Sequence, residues 1–512
     1  MNAEGRLRYG FVIDQNRCIG CHACTVACKE EHSVPVGVFR TWVKYIEKGH
    51  FPNVSRHFGV MRCNHCDDAP CIEICPTRSL YRRADGIVDF DPDRCIGCKS
   101  CMQACPYDAI YLDPNSHTAA KCNFCAHRIE MNLEPACVVV CPTQAILTGD
   151  LDDPASAPSL AVTNAAVVSP KPHKRTRPKL SYIGINEALL NPVVQVEDAL
   201  HLWAGRNPAQ GSQRPAPAET ESFKEARIVY DVAHPTPWGW KIGAYLFTKS
   251  IAAGVLLIAA LMIVLGADSS GLGVAVPATA LIFTGVTALL LVADLKRRER
   301  FYFLLIRPNP RSWVVIGAWI LVGYGAIAAL WLLRALLKEG IPPVLLCTAA
   351  ALAIATAGYS GLLFAQARGR DLWQSSLFTW HLIAQAAAAG AAILLLVGLF
   401  LSGAPMSEPG VRDALAISLT IGLLIGLVEF FLVPASQDAK VAKQLMLFGA
   451  LRVRLWGGAL GLGIAAPLFL LAVAPQTDFQ AVFESVAAAL TLAGIWIFDA
   501  LWVQAGQEVP LS

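Results

Sequence analysis

The chain has 512 residues, too many for one hydrophobic core, and 54 % apolar against 16 % charged residues marks a protein that lives partly outside water. A formal net charge of +3, with no basic patches interleaved with aromatics, excludes nucleic acid as a partner. Of 17 cysteines, all but Cys347 lie between Cys18 and Cys141, so two regions of different chemistry share the polypeptide.

The first region opens with RCIGCHACTVACKEEH, Arg17 to His32, nearly repeated as RCIGCKSCMQACPYDA, Arg94 to Ala109. Its cysteines form four groups: Cys18, Cys21, Cys24 and Cys28; Cys63, Cys66, Cys71 and Cys75; Cys95, Cys98, Cys101 and Cys105; Cys122, Cys125, Cys137 and Cys141. Groups one and three follow CxxCxxCxxxC, which lets three thiolates of one loop reach one cubane while the fourth points at another cluster. Groups two and four keep both ends of this pattern and lengthen its middle. Pro76, Pro106 and Pro142 follow the last cysteine of three groups, where a missing N–H costs nothing; Lys29 stands there in group one. Crowded neighbouring thiols make poor disulfides, and paired CxxC zinc sites leave the third cysteine of each run idle. Sixteen ligands suit four [4Fe-4S] clusters. The rule of three local ligands plus one borrowed one gives the sets Cys63, Cys66, Cys71, Cys105 and Cys75, Cys95, Cys98, Cys101. Groups one and four then give Cys18, Cys21, Cys24, Cys141 and Cys28, Cys122, Cys125, Cys137.

Residues 151–238 are rich in Pro, Ala, Ser and charge and read as a surface connector, with a short helix near VEDALHLWAG. Its basic run, Lys171 to Lys179, is expected to be solvated or to touch anionic headgroups. Eight apolar stretches follow, near 241–266, 271–293, 313–336, 342–366, 377–402, 412–433, 454–474 and 481–504, each long enough to cross the hydrocarbon. Trp238 and Trp240 precede them where an interfacial belt would sit, and dense small residues suit close helix packing in lipid.

With eight spans, the cysteine region shares its side with the loops after spans two, four and six. Those loops hold Lys296, Arg297, Arg298, Arg300, Arg307, Arg311, Arg368, Arg370, Lys440, Lys443, Arg452 and Arg454; the opposite loops hold Arg334, Lys338 and Arg412. The positive-inside rule puts the cysteine region in the cytoplasm, at the inner membrane. The start, MNAEGRLRYGFVID, with neither a twin-arginine nor an apolar signal core, agrees. A membrane b-haem with two axial histidines is excluded, because His381 is the only histidine beyond Trp238. Polar residues in the spans are candidates for a quinone pocket or proton path: Lys249, Asp294, His381 and Glu429, with Asp499 beside them. The plainer alternatives are snorkelling for Lys249, an ion pair with Lys296 and Arg297 for Asp294, and a local hydrogen bond for His381. Cys347 reads as a small apolar side chain.

Residues 8 to about 155, with NHCDDAPCIEICPT and KCNFCAHRIEMNLEPACVVVCPTQAILTGDLDDP, resemble the four-cluster electron-transfer subunits of the complex iron–sulfur molybdoenzymes. The second half, in PWGWKIGAYLFTKSIAAG, VADLKRRERFYFLLIRPNPRSWVVIGAWIL and GYSGLLFAQARGRDLWQSSLFTWHLIAQ, resembles the haem-free quinone-reactive anchor of the NrfD type. The resemblance implies an α+β fold of duplicated ferredoxin-like units carrying 4×[4Fe-4S] (residues 1–150), a connector (151–238) and an all-α eight-helix transmembrane bundle (239–505). It also implies that Cys98 completes a fourth cubane and that Tyr359 lies near the quinone head group. The expected function is electron transfer between the quinone/quinol pool and a separate, large molybdopterin-containing catalytic subunit. A nickel–iron hydrogenase module and an ion-translocating unit using Lys249, Glu429 and Asp499 are the alternatives. No dinucleotide fingerprint, nucleophile motif or mononuclear metal site points to substrate chemistry on this chain.

Overall fold

The structure is a computed structural model that describes residues 7–50, 52–192, 196–197, 226–266, 273–402, 409–476 and 479–512. The described strands are β1 (Tyr9–Asp14), β2 (Thr41–His50), β3 (Asn53–Arg62), β4 (Leu80–Arg82), β5 (Val88–Phe90), β6 (Ile110–Leu112), β7 (Ala119–Lys121), β8 (Ile146–Asp150), β9 (Val167–Val168), β10 (Leu180–Ile183), β11 (Val196–Glu197) and β12 (Arg227–Tyr230). They form two four-stranded sheets, ordered β8-β1-β10-β9 and β11-β12-β2-β3, and the hairpins β4-β5 and β6-β7. β1 is a continuous apolar run that buries Phe11, Val12 and Ile13, as a strand paired on both edges must. It runs antiparallel to β8 and parallel to β10. Short helices opened within the cysteine groups, Ala23–Glu31, Pro70–Ile74, Ser100–Ala104 and Ala136–Val139, alternate with these strands in a repeated ferredoxin-like pattern.

The first sheet reaches across the boundary expected at residue 150. β10 supplies one of its central strands and β12 joins β2, so both described ends of the connector belong to the cysteine-bearing unit. The basic run divides: its lysines turn into the protein, while Arg175 and Arg177 stay exposed, Arg177 Nε beside Asp68 Oδ2 at 2.6 Å. Lys179 is buried and donates to Gly86 O, Lys174 pairs with Asp371, and Lys171 Nζ donates to Leu511 O at 2.7 Å. An apolar stem can be buried if its ammonium finds oxygen partners, and the second half of the chain provides them. Of the expected helix near VEDALHLWAG, all but Val196 and Glu197 lies outside the described residues.

Among the described residues, eight helices are long and apolar enough to span a membrane: α1 (Trp240–Val264), α2 (Ala275–Asp294), α3 (Trp313–Leu336), α4 (Pro343–Gln366), α5 (Phe378–Ser402), α6 (Pro409–Leu427), α7 (Arg454–Val473) and α8 (Gln480–Glu508). α6 ends in a π turn, Val428–Leu432, and α7 begins as a π-helix, Arg454–Ala465. α1 and α5 form the centre, with 72 % and 67 % of their most apolar stretch buried; α2 and α6, at 22 % each, face outward. Trp240 is 66 % exposed, as a belt residue would be, whereas Trp238 is buried against Trp373 with ring centroids 5.4 Å apart.

Glycine sets the distance between the two central helices. A Cβ on Gly254 of α1 would lie 1.8 Å from Ala386 O and 2.6 Å from Gly390 N of α5. Backbone contact of this kind replaces the hydrophobic driving force that lipid does not supply. Gly254→Val is therefore expected to push α1 off α5 at a cost of several kcal/mol, beyond the usual ~1–3 kcal/mol of overpacking. A fluorescence melting curve in detergent would register it as lost folded protein, while Gly285→Val, at a position open on all sides, should melt like the parent.

Near the seam between the halves, His234 Nδ1 lies 2.5 Å from Asp108 Oδ2 and its Nε2 3.4 Å from Asp231 Oδ1. These carboxylates outweigh desolvation and raise its pKa from 6.5 to about 9. The resulting stabilisation is full below pH 6.5 and is lost as pH rises through about 9. Partial exposure limits it to on the order of 1 kcal/mol, or a few degrees of melting temperature. That drop between pH 7 and 9.5 should vanish in His234→Gln.

Candidate iron–sulfur relay and membrane cavity

Each CxxC loop turns back on its first sulfur. The residue before the second cysteine is left-handed in all four groups: Gly20 (φ 70), His65 (φ 45), Gly97 (φ 68) and Phe124 (φ 65). This aims main-chain N–H groups at sulfur. His65 N reaches Cys63 Sγ at 3.5 Å, Gly97 N reaches Cys95 Sγ at 3.4 Å and Phe124 N reaches Cys122 Sγ at 3.4 Å. Glycine adopts this conformation freely in groups one and three, but His65 and Phe124 need support. They find it in each other, edge to face at 5.2 Å, and Phe124 also packs on Phe11 at 4.1 Å.

The sixteen thiols form a succession. Cys18 faces Cys21 and Cys141, and Cys24 faces both Cys18 and Cys137. Cys28 faces Cys122, Cys125 and Cys137, and Cys122 in turn faces Cys63. Cys66 and Cys71 face Cys63 and Cys105; Cys101 faces Cys71 and also Cys75, Cys95 and Cys98. Burial pushes Cys24 up to about 11 and Cys98, Cys105 and Cys125 up to about 12, so unligated thiols here would be neutral. Soft sulfur donors already met by N–H groups fit iron–sulfur clusters. Among the described residues no three His, Cys, Asp or Glu side chains close on a single ion. Sequence reading missed Arg62, buried among these thiols. Its Nη1 donates to Cys137 Sγ at 3.2 Å and its guanidinium lies 4.5 Å over the Phe11 ring.

The succession begins at solvent and ends at the bundle. Cys21 is exposed beside Ile19, which is 57 % exposed, and Val26 and Val139, on two helices that touch each other, are 64 % and 61 % exposed. Cys98 opens onto a cavity of about 530 Å³ between α1, α2, α3 and α4, whose wall also carries Ser100, Tyr245, Asp294 and Tyr359. Gly317 makes room for the tyrosine, since a Cβ there would lie 2.2 Å from its ring. Behind Tyr359, Lys249 is buried. Its Nζ donates to Ala357 O at 2.7 Å and Ser360 Oγ at 2.9 Å and lies 5.1 Å from the Tyr359 ring centroid. Ser360 also bonds the Tyr245 hydroxyl.

Of the five membrane candidates, the structure brings together Lys249, Asp294 and Tyr359. Lys249 does not snorkel, and Asp294 pairs with Lys99 at 2.8 Å rather than with Lys296 or Arg297. His381 lies elsewhere, its ring 4.5 Å from Phe498 on the wall of a second cavity. Glu429 joins neither wall; it pairs with Lys443 at 3.2 Å and bonds Ser375, which ties the π turn to the following segment. Asp499 is bound by Gln385 Nε2 at 3.0 Å to both oxygens. Tyr245 and Ser360 were invisible to a search for charge in apolar runs; Lys99 was hidden inside a cysteine motif.

The profile of the family described as Polysulphide reductase, NrfD, matches residues 229–510. This protein is a member of that family. A 4Fe-4S dicluster domain matches residues 54–151 and a 4Fe-4S binding domain residues 9–30, so the NrfD membrane part is fused to an iron–sulfur electron-transfer subunit. The cysteine region is 42 % identical over 193 residues to the tetrathionate reductase B polypeptide of Salmonella typhimurium, covering 37 % of this protein and 77 % of that one. It is 44 % identical over 183 residues to the protein NrfC of Escherichia coli (35 % and 82 %) and 47 % over 149 residues to the thiosulfate reductase electron transfer subunit PhsB of Salmonella typhi (28 % and 78 %).

The Lys99–Asp294 pair joins the iron–sulfur part to the NrfD part almost out of contact with water. Lys99→Met should cost about 3–5 kcal/mol by stranding a carboxylate, and adding Asp294→Asn should recover much of that. Thermal melts of the two variants would measure this coupling.

Proposed function

We propose that this chain relays electrons between the quinone/quinol pool and a separate molybdopterin-containing catalytic subunit through four [4Fe-4S] clusters. The ligand sets are Cys18, Cys21, Cys24, Cys141; Cys28, Cys122, Cys125, Cys137; Cys63, Cys66, Cys71, Cys105; and Cys75, Cys95, Cys98, Cys101. The observation that carries the reading is Cys98 on the wall of the cavity that also presents Tyr359. An apolar cavity with a few convergent polar groups beside a cluster ligand is what a quinone needs. Clusters supply one-electron transfer at each step and nothing else. The exposed end at Cys21, beside the exposed Ile19, is where the catalytic subunit docks.

Oxidising a quinol there releases two electrons and two protons. Tyr359 and Tyr245 hydroxyls hold the oxygens of the head group, and Ser360 with Lys249 passes protons inward from the tyrosines. No haem takes part, since His381 is the only histidine beyond Trp238. The cluster side is cytoplasmic. The loops on that side carry twelve cations against three opposite, the asymmetry that the positive-inside rule reads as cytoplasmic.

Purification from native membranes with metal analysis tests the assembly: about sixteen irons per chain, molybdenum in a copurifying large subunit and no haem are expected. Nickel in place of molybdenum would assign the protein to a hydrogenase instead. Tyr359→Phe should lower quinol turnover by roughly 10²-fold through loss of one positioned donor, with iron content and cluster spectra unchanged. A loss of iron in that variant would show that Tyr359 acts on folding instead.

A further inference from the structure

Arg62, the last residue of β3, is 2 % exposed, and among the described residues no carboxylate pairs with it. The other buried cations of the iron–sulfur part are met by oxygen. Lys44 lies 3.1 Å from Asp231 and Lys99 2.8 Å from Asp294, while Lys121 donates to the carbonyls of Val88 and Cys122 and Lys179 to that of Gly86. Arg62 meets sulfur instead, its Nη1 donating to Cys137 Sγ at 3.2 Å. Nη2 donates to Thr41 Oγ1 at 3.2 Å and the planar face covers the Phe11 ring at 4.5 Å, so three contacts hold the guanidinium in one place. Its Nε is buried without an acceptor, which leaves more donor capacity than the thiols and Thr41 take up.

The position lies between two ligand sets. Cys137 and Cys122, nearest the charge, belong to the set Cys28, Cys122, Cys125, Cys137; Cys24, the next, belongs to the set Cys18, Cys21, Cys24, Cys141. Cys24, Cys137 and Phe11 are packed in one buried apolar cluster, so water does little to screen the charge from either set. A cubane on four thiolates is an anion that gains a further negative charge on reduction. Net charge and hydrogen bonds to sulfur are the levers by which a protein sets its potential, and Arg62 supplies both.

We propose that Arg62 sets the reduction potential of the cluster on Cys28, Cys122, Cys125 and Cys137, raising it, and raises that of the cluster on Cys18, Cys21, Cys24 and Cys141 to a lesser degree. Each cluster takes up one electron from its neighbour in the relay; no bond forms and no proton moves. An electron in transit is thereby held more readily at the second place in the succession than the thiolates alone would hold it. The inference rests on the four-cluster reading above.

The test is a redox titration of the purified full chain followed by electron paramagnetic resonance, with iron analysis alongside. In Arg62→Gln the reduction equilibrium of one cluster should become at least about tenfold less favourable, a fall of ~59 mV for one electron. A second should move less in the same direction and at least one should keep its parent value, with iron still at about sixteen per chain. Arg62→Lys keeps a cation in place and should stay close to the parent. The sign separates this outcome from loosened packing, because water admitted beside a cluster stabilises the reduced anion and moves its potential upward. Thr41→Asp, which neutralises the guanidinium without removing it, gives the same readout should the glutamine variant fail to bind iron. An unmoved or raised potential in the loaded variants would overturn the proposal, as would iron loss in both, which would assign Arg62 to assembly. A parent without cluster signals would overturn the relay together with this inference, so the two failures are told apart.

Discussion

Three of the cysteines nearest the bundle give their own carbonyl oxygens to donors from the membrane half. Cys75 O accepts from Asn309 Nδ2 at 2.8 Å, Cys95 O from Arg300 Nη1 at 3.1 Å and Cys98 O from Trp238 Nε1 at 3.3 Å. Loops that wrap their N–H groups inward around sulfur necessarily turn carbonyls outward, and buried carbonyls must be satisfied. The bundle is therefore bound by the same turns that shape the thiol cage. Any displacement of the halves would strand these oxygens, so the distance from Cys98 to the membrane cavity is as fixed as the loops themselves.

Electrostatics divides the labour in the bundle. Charge that faces the iron–sulfur part is paired across the seam, as Lys99 with Asp294, Arg368 with Glu73 and Lys174 with Asp371. Charge deeper in the spans is held by hydroxyl, amide and main-chain dipoles instead: Lys249 by Ser360 and Ala357, Asp499 by Gln385. Buried ions without a tight opposite partner cost stability, which these dipoles partly offset.

Much of this was legible in the sequence because the cysteine spacing is a local constraint and apolar run length directly measures membrane thickness. Both survive without knowledge of the fold. What the sequence could not show were side-chain placements decided by partners distant along the chain. Lys171 and Lys174 look solvated until the carbonyl of Leu511 and Asp371 arrive to accept their charges. The five polar membrane candidates looked like one pocket because depth along a helix can be read from sequence, but azimuth around the bundle cannot. The structure turns Tyr359 toward α3 and His381 toward α8. Tyr245 and Ser360 carried no signal at all, since a hydroxyl in an apolar helix is unremarkable until its neighbours are known.

Gln507 accepts a hydrogen bond from Gln103 Nε2 at 2.6 Å across 404 residues of chain, and Arg370 Nη1 donates to Val509 O at 2.8 Å beside it. At ordinary elongation rates about 20–80 s separate the synthesis of those two glutamines. By the end of that interval Trp238, Arg300 and Asn309 are long made and can already meet the carbonyls of Cys98, Cys95 and Cys75. The last turn of α8 therefore closes a seam whose other partners were synthesised well before it.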